Sequence, residues 1–186
     1  SPFGGIPFPQ DLDGDGRSEI IWLQGPGLFG SKVFDVPPWK GRFSDEERGH
    51  FCVTATDAEG AVLWQMGEPW EGERPFVTHS AERAVDFGDI DGDGRLEVLC
   101  VNGGQLLSLD ALTGEVETSV DTPADNAQIV RVARTGPGAE DWTVLVKNAE
   151  RAWPPYEYAN PAWFYDGSFR LLKMAEYPGA GHTPVV

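Results

Sequence analysis

The stretch that decides the fold is Gln10–Gly25, QDLDGDGRSEIIWLQG, together with its second appearance at Gly88–Gly103, GDIDGDGRLEVLCVNG. The copies lie 78 positions apart. In each, an Asp-rich loop leads into a run of β-formers that ends at a glycine turn signal. A second motif follows each copy: TATDAEGAVLWQ from Thr54 to Gln65, and LSLDALTGEVETS from Leu107 to Ser119. AWFYDGSFRLLKM, from Ala162 to Met174, is a looser third version. Gln128 to Asn148 copies the pattern of Ala84 to Asn102, with the acidic loop replaced and one residue inserted. Self-similarity of this kind marks a repeat architecture. The chain reads as three units beginning near residues 8, 84 and 128, the third of them degenerate, and GHTPVV at its end reads as the opening strand of a fourth.

Within a unit the order is strand, tight loop, strand, turn, strand, turn, strand. Leu96–Val101, Gln105–Leu109 and Glu115–Val120 are the later strands of the second unit. Four short antiparallel strands at this spacing predict a propeller blade. The expected fold is all-β: a segment of a β-propeller with about three four-stranded antiparallel blades plus the first strand of a fourth. A flat β-sandwich is the rival, and the repeated unit length counts against it. Blade one spans 1–78, with a long inserted loop at Gly25–Gly49; blade two spans 79–124. A degenerate blade three spans 125–180, with an aromatic insertion at Glu150–Pro161, and 181–186 begins the fourth.

Composition fits this reading and excludes others. Gly 23 and Pro 15 in 186 residues argue for many turns and against long helices. Seven Trp and 40% hydrophobic residues argue against wholesale disorder despite a net charge of -16. That charge repels phosphate backbones, so nucleic acid is not an expected partner. Apolar runs such as Ile20–Leu23 and Val98–Val101 are too short to span a bilayer. The opening Ser-Pro-Phe-Gly-Gly has neither an initiator Met nor a signal-peptide pattern, as in a processed product or an excerpt of a longer chain. Cys52 and Cys100 lack metal-ligand spacing and sit in apolar runs, as two buried free thiols or as a pair.

The acidic loops carry the strongest chemical signal. Asp11, Asp13 and Asp15 alternate with Leu12 and Gly14, and Arg17 and Glu19 follow; Asp89, Asp91, Asp93, Arg95 and Glu97 repeat the set. Carboxylates two residues apart repel one another unless a cation neutralises them, and hard oxygen donors packed this closely suit Ca²⁺. The loop resembles an EF-hand at its first six positions, but the twelfth holds Trp22 or Cys100 and the ninth is Glu in both copies. The expected ligands are Asp11, Asp13, Asp15 and Glu19 with the Arg17 carbonyl, and Asp89, Asp91, Asp93 and Glu97 with the Arg95 carbonyl: two Ca²⁺ ions. A solvated acidic turn is the alternative. The third unit has Arg134, Gly136 and Gly138 at the aspartate positions and is expected to bind nothing.

DxDGDGxxE before an apolar strand resembles the FG-GAP or VCBS-type calcium-binding repeats of integrin-like propellers. Together with TATDAEGAVLWQMG and GHTPVV, it is most similar to the propellers of rhamnogalacturonan lyases and ulvan lyases. The resemblance implies secretion and, often, polysaccharide β-elimination. Such chemistry needs a base for the C5 proton, a cation for the carboxylate and an acid for the leaving oxygen. His79 and His182, each before an inner strand, are the catalytic candidates, with His50 a lesser one; Arg83, Lys147, Tyr156 and Tyr158 are candidates for the cation and the acid. A His beside a strand is otherwise a polar rim residue. Trp153, Tyr156, Tyr158 and Trp163 offer flat faces to sugar rings, or else cement a long loop onto its blade. Two Ca²⁺ ions offset only a quarter of the net charge of -16, which counts against a polyanionic substrate. Three classes of function follow: a secreted glycan-binding or adhesion module, a polysaccharide lyase, and an assembly protein built from blades. Their partners are a polysaccharide or protein ligand at the propeller face, and further blades or other chains at the open edges.

Overall fold

The computed structural model describes residues 7–24, 51–69, 85–102, 104–124, 127–138, 141–148 and 161–176. Their secondary structure is twelve strands, with no helix among the described residues. Sheet one comprises β1 (Pro7–Gln10), β2 (Glu19–Gln24), β3 (Cys52–Thr56) and β4 (Val62–Gly67). Sheet two comprises β5 (Val85–Gly88), β6 (Glu97–Asn102), β7 (Gln105–Asp110) and β8 (Val116–Asp121). Sheet three comprises β9 (Ala127–Arg134), β10 (Trp142–Asn148), β11 (Pro161–Asp166) and β12 (Leu171–Glu176). Each is an antiparallel meander in chain order. Pro7 and Pro9 are compatible with β1 because it is an edge strand, where a missing amide costs no ladder bond.

The sheets repeat in detail. In each, the register between third and fourth strands shifts once, at Ala55/Thr56, Ser108/Leu109 and Phe164/Tyr165. The turn beyond each shift opens on an aspartate whose Oδ1 accepts backbone amides: Asp57 from Ala61, Asp110 from Leu112 and Thr113, Asp166 from Ser168 and Arg170. The third sheet is thus a true copy although its first loop has diverged.

Strand side chains alternate between faces, and sheet two uses both. Val98 and Cys100 on β6, with Leu107 and Leu109 on β7, join Ile21, Leu23, Val53, Ala55 and Trp64 of sheet one in a first core. Leu99 and Leu106 point the other way and join Val130, Val144, Val146, Trp163 and Tyr165 of sheet three in a second. The middle sheet is therefore packed on both sides, and its near-continuous apolar strands are the sequence consequence. Polar bonds pin the stack: Trp64 Nε1 donates to the Ala111 carbonyl at 2.9 Å, and the Tyr165 hydroxyl donates to Thr122 Oγ1 at 2.7 Å. Between the first strands of sheets two and three, the Val132 amide of β9 donates to Asp86 Oδ2 of β5 at 2.7 Å. Cys52 and Cys100 are both buried and unpaired, which resolves the cysteine alternatives toward free thiols.

Candidate functional site

The loop between β5 and β6 gathers Asp89, Asp91, Asp93 and Glu97, with one oxygen of each within 4.8 Å of the others. Local backbone chemistry builds it. Asp91 Oδ1 accepts the Asp93 amide at 3.0 Å and Asp93 Oδ1 accepts the Arg95 amide at 2.8 Å, winding the chain tightly, while Gly92 and Gly94 take φ of 81° and 92°. Ile90, between two of the carboxylates, is 4% exposed and belongs to the second core, so it anchors the loop from beneath. Glu97 is 2% exposed, and its Oε2 accepts the Ile90 amide at 2.6 Å.

The electrostatics of this group call for a cation. Burial pushes the Glu97 carboxyl up to about 7 against the pull of the Ile90 amide, with Asp91, Glu117 and Asp89 raising it further. Asp89 Oδ1 is enclosed and accepts no hydrogen bond among the described residues. A buried acceptor left so costs on the order of 1–3 kcal/mol, and more when charged. Arg95 serves the group from one side only. Its Nε and Nη2 hold Asp93 Oδ2 at 2.9 and 2.7 Å, and Nη1 reaches Asp110 Oδ2 at 2.8 Å. Arg95 thereby keeps Asp93 below the usual carboxylate range and ties the loop to the β7–β8 turn. The donor set is all oxygen, one member is orphaned, and the residues fit a hard divalent ion.

The loop between β1 and β2 is built alike, with differences. Asp11, Asp13 and Asp15 converge within 4.8 Å, but Glu19 is not in that group; its Oε2 accepts the Leu12 amide at 2.8 Å. The two Asp11 oxygens accept the Gly14 and Gly16 amides at 2.7 and 3.0 Å. Leu12, 6% exposed, reaches into the first core as Ile90 does into the second. Arg17 reaches out to Glu59 at 3.3 Å, an exposed pair that contributes little. In sheet three the corresponding loop closes on itself. Arg134 Nη2 donates to the carbonyls of Pro137 and Gly138, and Asp141 Oδ2 accepts the Gly138 amide. Among the described residues, that loop contributes to no acidic group.

The other expected site residues fare unequally. Trp163 is 5% exposed and belongs to the second core. Lys147 is enclosed within β10 at 1% exposure. His50, His79, Arg83, Trp153, Tyr156, Tyr158 and His182 lie outside the described residues. Arg95 as a bridge to Asp110 was not among the sequence expectations; the recurrence of Asp57 and Asp110 after each acidic loop was its only signal.

No family model matches the chain, and neither does any curated protein. Among solved structures, the crystal structure of the V. cholerae biofilm matrix protein Bap1 is similar at 14% identity and a TM-score of 0.41. The match covers 95% of this chain and 29% of that one, so this chain spans less than a third of its length. At that level it carries no argument about this protein. The described residues hold no helix long and apolar enough to cross a membrane.

Proposed function

We propose that the chain is a calcium-stabilised stack of propeller blades that serves as a binding or adhesion scaffold outside the cell. The observation that carries the reading is the enclosed Asp89 Oδ1, unpartnered among the described residues, beside three further converging carboxylates. Asp89, Asp91, Asp93 and Glu97 would hold one ion, and Asp11, Asp13 and Asp15 a second, with Glu19 joining it. When bound, Ca²⁺ supplies the positive charge that lets neighbouring carboxylates stay ionised and close together. Ca²⁺ fits better than Mg²⁺ because it accepts more oxygens in looser geometry, and sites on extracellular modules fill at about 10⁻⁴–10⁻³ M. The extracellular location is also what the FG-GAP-type resemblance implies. The proposed partner is a polysaccharide or protein at the propeller face, with further blades or chains at the sheet edges.

An ion that binds only the folded state stabilises it by about 2.7 kcal/mol at a hundredfold excess over Kd. Millimolar Ca²⁺ should therefore raise the melting temperature, EDTA should lower it, and Mg²⁺ should substitute poorly. A melting curve indifferent to all three would reduce both loops to acidic turns. Retention on immobilised polysaccharide without turnover supports the scaffold; rising absorbance from unsaturated uronates would replace it with a lyase.

A further inference from the structure

The acidic loop of sheet two is covered from the next sheet. Gly167, in the turn between β11 and β12, lies so close to Ile90 that a Cβ added there would stand 2.6 Å from the Ile90 carbonyl oxygen and 3.5 Å from Trp142 Cβ. Real Cβ atoms do not approach an oxygen so closely, so any side chain at 167 must displace the turn or the loop. Ile90 has little room to yield. Its amide is held by Glu97, and its side chain packs with Val130, Val144 and Phe169. Phe169, two residues beyond Gly167, is 3% exposed in the same core and takes a φ of 60°, where the corresponding residues of the other turns are Gly60 and Gly114. A continuous path of contacts thus runs from Glu97 to the Ile90 amide, through the Ile90 peptides, to Gly167 on sheet three.

We infer that the metal centre of sheet two is completed across the sheet–sheet joint: Gly167 is a positioning residue for the ion, acting through Ile90, and ion binding tightens the docking of the β11–β12 hairpin. The inference rests on the calcium reading above and adds to it a coupling between two sheets. Asp89 and Asp91 flank Ile90 in the chain, so a displaced Ile90 carries two carboxylates out of register. Linkage makes the effect reciprocal: whatever docking contributes to ion affinity, the ion returns to docking. With the acidic loop of sheet one as loop one and that of sheet two as loop two, Gly167 meets Ile90 of loop two, and no atom of loop one is among its nearest neighbours, so loop one has no such contact to lose.

Calorimetric titration with Ca²⁺ alone tests this on the full chain. In an Asp13→Asn background, where loop two is the reporting site, Gly167→Ala should weaken Ca²⁺ binding at least tenfold. In an Asp91→Asn background, where loop one reports, the same change should leave affinity unaltered. A general loss of stability would lower both. In the unmutated chain, Ca²⁺ should slow hydrogen exchange at the Asp166 and Phe169 amides, which close the β11–β12 turn. If Gly167→Ala does not fold, the exchange measurement decides alone. Ca²⁺ binding with unchanged affinity in the variant and unchanged exchange would overturn the coupling and leave the calcium reading standing. No Ca²⁺ binding by the unmutated chain would overturn both.

Discussion

Arg134 shows what a single residue does when the acidic pattern is lost. Its guanidinium donates to two carbonyls of the loop that follows it, at 3.1 and 3.3 Å, and lies 5.9 Å from the Trp142 ring centroid, so the third hairpin carries its own fixed cation. Arg134→Ala should cost about 1 kcal/mol, equally in Ca²⁺ and in EDTA; a loss seen only with Ca²⁺ would contradict this. Phe169 poses a question of magnitude. A left-handed backbone costs a non-glycine residue roughly 1–2 kcal/mol, whereas emptying a buried Phe site costs about 3–5 kcal/mol. Burial wins, so Phe169→Gly should destabilise by roughly 2 kcal/mol in denaturant melts, and a stabilised variant would show the backbone term to dominate. The aspartate set was legible because alternating carboxylates leave few chemical options. Arg95 was not, because its partner Asp110 comes near only when β7 returns beside β6. Trp163 was legible only as an aromatic beside a proline-rich insertion, a pattern that looks the same whether the ring faces sugar or core.

At the scale of strands and sheets, the register of each hairpin is fixed twice, once by the alternation of core residues and once by the Asp-led turn. The second signal explains why sheet three was legible from Tyr165-Asp166-Gly167 even where its first loop was not. What sequence could not give is which face of each strand meets which neighbour, since Leu99 and Val98 are chemically alike and point to different cores. The bonds between sheets provide the test. Trp64→Phe and Tyr165→Phe each remove one buried hydrogen bond while keeping most of the ring, and each should cost about 1 kcal/mol. Their effects should add, because they belong to different joints; strong coupling between them would mean that the stack yields as one body. The thiols report on the same packing. Burial pushes Cys100 up to about 12 and raises Cys52 as well, so neither should react with a disulfide reagent in the native protein and both should in denaturant. Rapid native labelling of either would show its sheet to be open.

On the scale of the whole molecule, the net charge of -16 is an opposing force that the fold must manage, and part of it is concentrated in two loops. Those loops root Leu12 and Ile90 in the two cores, so neutralising them steadies the joints between sheets as well as the loops themselves. A protein organised in this way should depend on the cation for its cooperativity of unfolding, and should be least stable where the ion is withheld. The most direct measurement is equilibrium dialysis of the purified, EDTA-stripped chain against millimolar Ca²⁺, with bound metal counted by elemental analysis. The account predicts two ions per chain, falling to one in Asp91→Asn; a count of zero at saturating Ca²⁺ would contradict it.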